Sequence, residues 1–187
     1  MAVAQIRNRG RLPHWETEHG IYFVTFRLAD SLPKSVVASL NTKYANDSDA
    51  TRKKSREVET HLDHGGGACH LKTPEIADLV ADTLRHFDGE RYRLFAWSIM
   101  PNHVHVVFQP RSPFKLEDIL HSWKSFSAQA ANKILGRRGE PFWQREYYDH
   151  LIQGGDPFRR AVRYTAENPM KAGLKDWRWV YVANDLS

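Results

Sequence analysis

Apolar and polar positions along this chain switch between two periods, and the switches divide it into elements. In HGIYFVTFRLAD, Tyr22, Val24 and Phe26 interleave with Phe23, Thr25 and Arg27. A period of two in β-branched and aromatic residues predicts a strand over 21–28. Leu32-Pro33 then opens a helix through KSVVASLNTKYAND, since proline suits a first helical turn. Residues 47–64 are strongly charged and predict an exposed helix. GGGAC, at 65–69, reads as a flexible break; it lacks both the GxGxxG spacing and the following Lys-Ser/Thr of a phosphate loop. Thr73-Pro74-Glu75 has the form of a helix start, with Thr73 as cap and Pro74 in first position. Ile76, Leu79, Val80, Thr83, Leu84 and Phe87 follow at helical spacing, and Asp88-Gly89 closes the element.

RYRLFAWSIM alternates as a strand, Pro101-Asn102 turns, and HVHVVFQP alternates again, which predicts an antiparallel pair. Residues 113–135 form a long amphipathic pattern carrying Leu116, Ile119, Leu120, Trp123, Phe126 and Ile134. GRRGEPFW is a turn region and REYYDHLIQ a short strand. Asp156-Pro157 begins a last helix through FRRAVRYTAEN. Pro169 is expected to end it, because the residue before proline disfavours helical backbone. KAGLKDWRWVYV is left as a short tail. With a hairpin between helices, the order predicts an α+β fold: a ferredoxin-like sandwich of mostly antiparallel sheet and packed helices. The whole of 1–187 reads as one domain with a short N-terminal arm and the C-terminal tail.

Composition narrows the function classes. No run of about 18 apolar residues is present, so no membrane helix is expected. The polar, basic start MAVAQIRNRGRLPHW does not read as a signal peptide. Cys69, the one cysteine, rules out an intrachain disulfide and a CxxC metal site, and a cytoplasmic location fits. Net charge is +5, and residues 111–178 hold 13 Lys and Arg against 8 Asp and Glu, so the whole excess lies there. Basic side chains attract phosphates, and aromatic faces, here six Trp and seven Tyr, stack unpaired bases.

MPNHVHVVFQP carries the first chemical signal. On a strand, His103 and His105 share one face while Val104 and Val106 take the other. Two imidazoles can then hold one ion, but with ten histidines in the chain such a pair needs company. RYTAENPMKAGL supplies it: Tyr164 and Asn168 are four apart, one above the other on a helix. Two histidines and an amide oxygen would leave positions open on Mg²⁺ or Mn²⁺ for phosphate oxygens. A tyrosine beside that ion is a candidate nucleophile. The plain alternatives are an Asn-Pro helix stop and a core tyrosine.

AWSIMPNHVHVVFQP, HSWKSFSAQAAN, PFWQREYYDHLI and FRRAVRYTAENPMKAGL together resemble REP-associated tyrosine transposases. These belong to the single-tyrosine HUH endonuclease group, related to transposases of small bacterial insertion sequences. The resemblance runs from about residue 14 to 177. It implies that His103 and His105 are the metal-binding histidines, that Tyr164 is the catalytic tyrosine, and that Asn168 is the metal-binding polar residue, which is Gln in some relatives. It further implies Mg²⁺- or Mn²⁺-dependent cleavage of single-stranded DNA beside a hairpin, a 5′-phosphotyrosine intermediate, and strand transfer. A monomer is expected, with the dimers of related enzymes as the other arrangement. Tyr147 and Tyr148 compete as nucleophile but have no ligand four residues on, and alternation lets only one face the histidines. Lys124, Trp143, Gln144, Arg145 and His150 are candidate DNA contacts. A metal hydrolase is disfavoured by the single HxH and the absent HExxH. A non-catalytic hairpin-binding protein derived from a transposase is the alternative function.

Overall fold

The computed structural model describes residues 5–9, 12–16, 20–45 and 50–186. A short antiparallel hairpin, β1 (Gln5–Arg9) and β2 (Leu12–Glu16), occupies the expected N-terminal arm. The main sheet is built from β3 (Ile21–Arg27), β4 (Tyr92–Ile99), β5 (His103–Pro110), β6 (Tyr148–Ile152) and β7 (Val180–Val182). Its strand order is β6-β3-β5-β4-β7, and every neighbouring pair is antiparallel. The helices are α1 (Lys34–Lys43), α2 (Ala50–Asp63), α3 (Pro74–Arg85), α4 (Leu116–Ile134) and α5 (Gly155–Lys171). Taking β3-α3-β4-β5-α4-β6 alone gives the split βαβ topology of the ferredoxin-like sandwich. Helices α1 and α2 are inserted before α3, and α5 and β7 are appended. The expected fold class is what the chain adopts.

Alternation gives the sheet two apolar faces. Val24, Phe26, Trp97, Ile99, Val104, Val106 and Phe108 meet Ile76, Val80 and Leu84 of α3 and Leu120 and Trp123 of α4. Phe23, Phe95, Ala96, Val107 and Ile152 meet Val162, Ala161 and Tyr164 of α5 on the other side. Strict alternation along RYRLFAWSIM would fail here. A bulge between Leu94 and Ala96 adds one residue and resets the parity. Tyr92 and Leu94 before it, and Trp97 and Ile99 after it, therefore reach the same core.

Four expectations are corrected. First, Pro169 does not end α5, which runs on to Lys171. Proline removes only one donor, and Ala172 N–H reaches Asn168 C=O at 2.9 Å beyond it. Second, the charged segment is helical, as α2, but not merely solvated: Leu62 is 1% exposed. Third, GGGAC is a packed turn rather than a flexible break. A Cβ on Gly66 would lie 2.8 Å from Ser31 C=O, and one on Gly67, at φ +82°, 2.7 Å from Asp30 C=O. Only glycine permits that approach. Fourth, the C-terminal stretch is no tail: β7 forms the sheet edge beside β4. Trp177 Nε1 donates to Ile99 C=O (2.7 Å) and Trp179 Nε1 to Asp78 (2.8 Å). On α4, Phe126 is 58% exposed and lies off the buried stripe. Cys69 is buried and free, as a small packing residue. Among the described residues no helix is long and apolar enough to cross a membrane.

If the last strand completes the core, Trp179→Ala should cost about 3–5 kcal/mol in denaturant unfolding, the range for buried tryptophan. A loss below about 1 kcal/mol would show that the stretch is dispensable.

Candidate active site

The site starts at the turn into β5. Met100 N–H donates to His103 C=O (2.8 Å), closing the Pro101-Asn102 reversal. Asn102 is fully buried, and its Nδ2 donates to Gly66 C=O at 2.9 Å. That bond fixes the amide, so Oδ1 faces His103 Nδ1 at 2.7 Å and must accept its proton. His103 Nε2 is then left with its lone pair. Two residues on, His105 Nδ1 meets Thr25 Oγ1 at 2.8 Å, the residue directly across the ladder on β3. The two Nε2 atoms are 3.0 Å apart. Both rings are fully buried.

Helix α5 lies over this pair. The Tyr164 ring packs edge-on to His105 (centroids 5.5 Å apart) and to Phe23 (5.7 Å), while Phe23 stacks on His105 (5.4 Å). One turn later, the Asn168 side chain lies near the Tyr164 hydroxyl and favours its ionised form, against the larger effect of burial. Asn168 is 2% exposed, and its Oδ1 has no hydrogen-bond partner. Helix α2 adds two carboxylates from the other side. Glu59 stands beside the Tyr164 hydroxyl on the wall of one cleft, and Asp63 Oδ1 is 3.8 Å from His103 Nε2.

Burial and crowded charge set the electrostatics. Burial pushes the His105 imidazole down to about 3; burial, then His105, holds His103 well below its ordinary value. Both rings are neutral near pH 7, the form that can donate lone pairs to a cation. Burial raises Tyr164, and the charges of Glu59 and Asp63 raise it further. Glu59 itself is pushed up to about 7, first by burial and then by Asp63. Next to these groups a cleft of about 340 Å³ is lined by Phe23, Glu59, Tyr148, His150, Arg160 and Tyr164. A larger hollow of about 470 Å³ opens beyond Glu59 and Tyr148 and reaches Thr25, Lys54 and Gln144, but neither the histidines nor Tyr164.

The donor set fits a small hard cation. Two nitrogens bound about 2.1 Å from one ion at right angles are ~3.0 Å apart. The His103–His105 separation matches this, and each ring is oriented by a bond to its other nitrogen. Among the described residues no three His, Cys, Asp or Glu side chains cluster as a metal group, and an amide oxygen is a third donor of the kind a hard cation takes. The orphaned Asn168 Oδ1 is such a donor.

The four residues singled out in the sequence, His103, His105, Tyr164 and Asn168, are therefore drawn toward one buried locus between β5 and α5. The candidate DNA contacts divide. Trp143 is a correction: it is buried, donates from Nε1 to Ser127 Oγ (2.9 Å) and packs on Phe26, so its face is not available to a base. Lys124 donates to the carbonyls of Gln144 (2.8 Å) and Arg145 (2.7 Å), clamping that loop, and burial lowers it to about 8. Gln144 donates its backbone N–H to Arg27 C=O (2.8 Å) and lines the larger hollow. Arg145 and His150 are exposed, the latter on the cleft wall. As alternation required, Tyr147 packs toward the α3–α4 core and Tyr148 toward the α5 face. Missed in the sequence were Thr25, Asn102, Glu59 and Asp63. An amide just before the HxH, and acids four apart in the charged segment, were the available signals.

This fold has counterparts among solved structures. A solved structure described as the REP-associated tyrosine transposase bound to a REP hairpin shares it, with 15% identity over 92% of this chain and 82% of that one, and a TM-score of 0.54. A crystal structure from Deinococcus radiodurans R1 is more distant in shape: 17% identity, 87% and 95% coverage, TM-score 0.43. No curated protein sequence matches. The family described as "Transposase IS200 like" matches residues 73–168, just over half of the chain. The chain belongs to the IS200-like transposases, a family of DNA-processing proteins. The matched span takes in β4, β5, α4 and α5 as far as Asn168, and leaves out α1 and α2.

Because His105 titrates lower in the fold than in the unfolded chain, the unfolded state binds more protons between about 6.5 and about 3. The stability His105 contributes is complete above about 6.5 and is lost as the pH falls toward about 3. Nitrogen chemical shifts of the His105 ring should accordingly report a neutral imidazole from pH 8 down to about 4. A ring that protonates near pH 6 would contradict the burial described here.

Proposed function

We propose that this protein nicks single-stranded DNA next to a hairpin and transfers the cut strand, with Tyr164 as nucleophile. The observation that carries the reading is the buried constellation itself. Two neutral histidines face each other at 3.0 Å, and a tyrosine lies against one of them. An amide oxygen one turn further on is left without a partner. Buried polar groups are almost always satisfied, so an unpartnered one at such a place points to a missing ligand. His103, His105 and Asn168 would hold Mg²⁺ or Mn²⁺. When bound, the ion would polarise the scissile phosphate and neutralise charge that develops on it.

The chain's own residues supply the rest. Edge-to-face packing against Phe23 and His105 fixes the Tyr164 ring, which removes orientational freedom before attack. Its oxygen attacks phosphorus, an Oη–P bond forms, and the P–O3′ bond breaks. The 5′ phosphate stays on Tyr164 and a 3′ hydroxyl is freed. Attack by another 3′ hydroxyl reverses the sequence and joins strands, so the ester energy is kept and no nucleotide is consumed. Hairpin DNA is the expected substrate because the related structure holds a REP hairpin. The positive excess of residues 111–178 favours such a polyanion. We further propose that one chain is enough for a site, since its four residues come from a single subunit, and that it works on cytoplasmic DNA at the nucleoid.

Incubating the protein with labelled single-stranded hairpin DNA and Mg²⁺ or Mn²⁺ should give a covalent protein–DNA band on a denaturing gel. The band should need the metal and disappear in Tyr164→Phe. A band that survives in Tyr164→Phe would move the nucleophile to Tyr147 or Tyr148. Tight binding with no band across host-genome hairpins would contradict catalysis and leave a hairpin-binding protein.

A further inference from the structure

Helix α2 lies outside the family-matched span, yet it closes the site. Its two acids, Glu59 and Asp63, are four residues apart and so share one face. Asp63 is directed at His103. Glu59 lines the same cleft as Tyr164, beside its hydroxyl proton, and borders the larger hollow as well, with Tyr148 and Ser55 between the two. Attack by Tyr164 requires loss of that proton, and nothing in the reaction described so far receives it. Asn168 cannot, being an amide, and the two ring nitrogens of His105 face Thr25 and His103 rather than the Tyr164 hydroxyl.

We infer that Glu59 is the general base of DNA cleavage and the general acid of strand transfer. This rests on the function proposed above. In cleavage the Tyr164 O–H bond breaks and its proton passes to the Glu59 carboxylate. The Oη–P bond forms, the P–O3′ bond breaks, and the 3′ oxygen takes a proton from water. In transfer the incoming 3′ hydroxyl loses its proton to water and attacks phosphorus. The Oη–P bond then breaks, and Glu59 returns its proton to Tyr164.

The setting suits a group that must both take and give a proton. Asp63 and Arg56 face Glu59 from its own helix, Tyr164 and Arg160 from α5, and Tyr148 and His150 from β6. Burial and Asp63 outweigh Arg56, so the carboxyl titrates at about 7, where neither form is scarce at neutral pH.

The test compares the unaltered chain, Glu59→Gln and Glu59→Ala in single-turnover cleavage of hairpin DNA with Mn²⁺, from pH 6 to 9. Glutamine keeps the shape and a hydrogen-bonding oxygen but takes no proton. The unaltered rate should rise with pH and level off above about 7. Glu59→Gln should be slower by about 100-fold or more at pH 7, and its rate should keep climbing as hydroxide replaces the base. Hairpin binding should be unchanged and thermal stability not reduced. Equal rates and equal pH profiles for Glu59→Gln and the unaltered chain would overturn the inference while leaving the nickase intact. So would a loss in Glu59→Ala that Glu59→Gln fully restores, which marks Glu59 as a positioning residue. No adduct from the unaltered chain would overturn both readings.

Discussion

Everything in this molecule hangs on the alternation of one strand. β5 is central, bonded to β3 on one side and β4 on the other. Its even residues, Val104, Val106 and Phe108, are fully buried in the α3–α4 core. Because the side-chain period is two, that burial fixes the odd residues on the opposite face. A slip by one residue would drive both imidazoles into an apolar core with no partners and put valine and phenylalanine where the polar site now stands. The register that holds the fold together is thus the register that places His103 beside His105.

The second face then becomes a chemical surface rather than a second core. Its small apolar patch, Phe23, Val107 and Ile152, seats α5 and borders the site through Phe23, which stacks on His105. The polar groups there are held from several directions. The glycine turn holds Asn102, Asn102 holds His103, and β3 holds His105 through Thr25. Gly66 can serve because its missing side chain lets the turn lie on Ser31. A loop with no side chains of its own therefore determines which nitrogen of His103 carries the proton.

Local patterns were legible in the sequence where one period ran uninterrupted. The strands at 21 and 103, the helix at 116 and the pair Tyr164–Asn168 all read correctly from spacing. Reading failed where tertiary contacts overrule a local rule. Pro169 stays helical because the missing bond is only one of many along a packed α5. Trp143 sits in a polar, charged block that suggested DNA contact, yet Ser127 Oγ waits for its indole inside the core. The bulge at Leu94 changes parity with no sequence mark other than an apolar run. Glu59 and Asp63 were hidden because a charged helix looks solvated until its opposite wall is known. The basic excess likewise describes a surface, and it says nothing about which cations are already committed, as Lys124 is to two carbonyls.

The central claim is that the facing imidazoles form a cation site completed by Asn168. Pulsed electron paramagnetic resonance of the protein with one equivalent of Mn²⁺ tests it most directly, because the metal reports the nitrogens bound to it. The account predicts modulation from two coupled imidazole nitrogens, reduced to one in His103→Ala or His105→Ala, and weakened Mn²⁺ affinity in Asn168→Ala. Mn²⁺ bound with no imidazole coupling, or coupling that persists when both histidines are replaced, would contradict it.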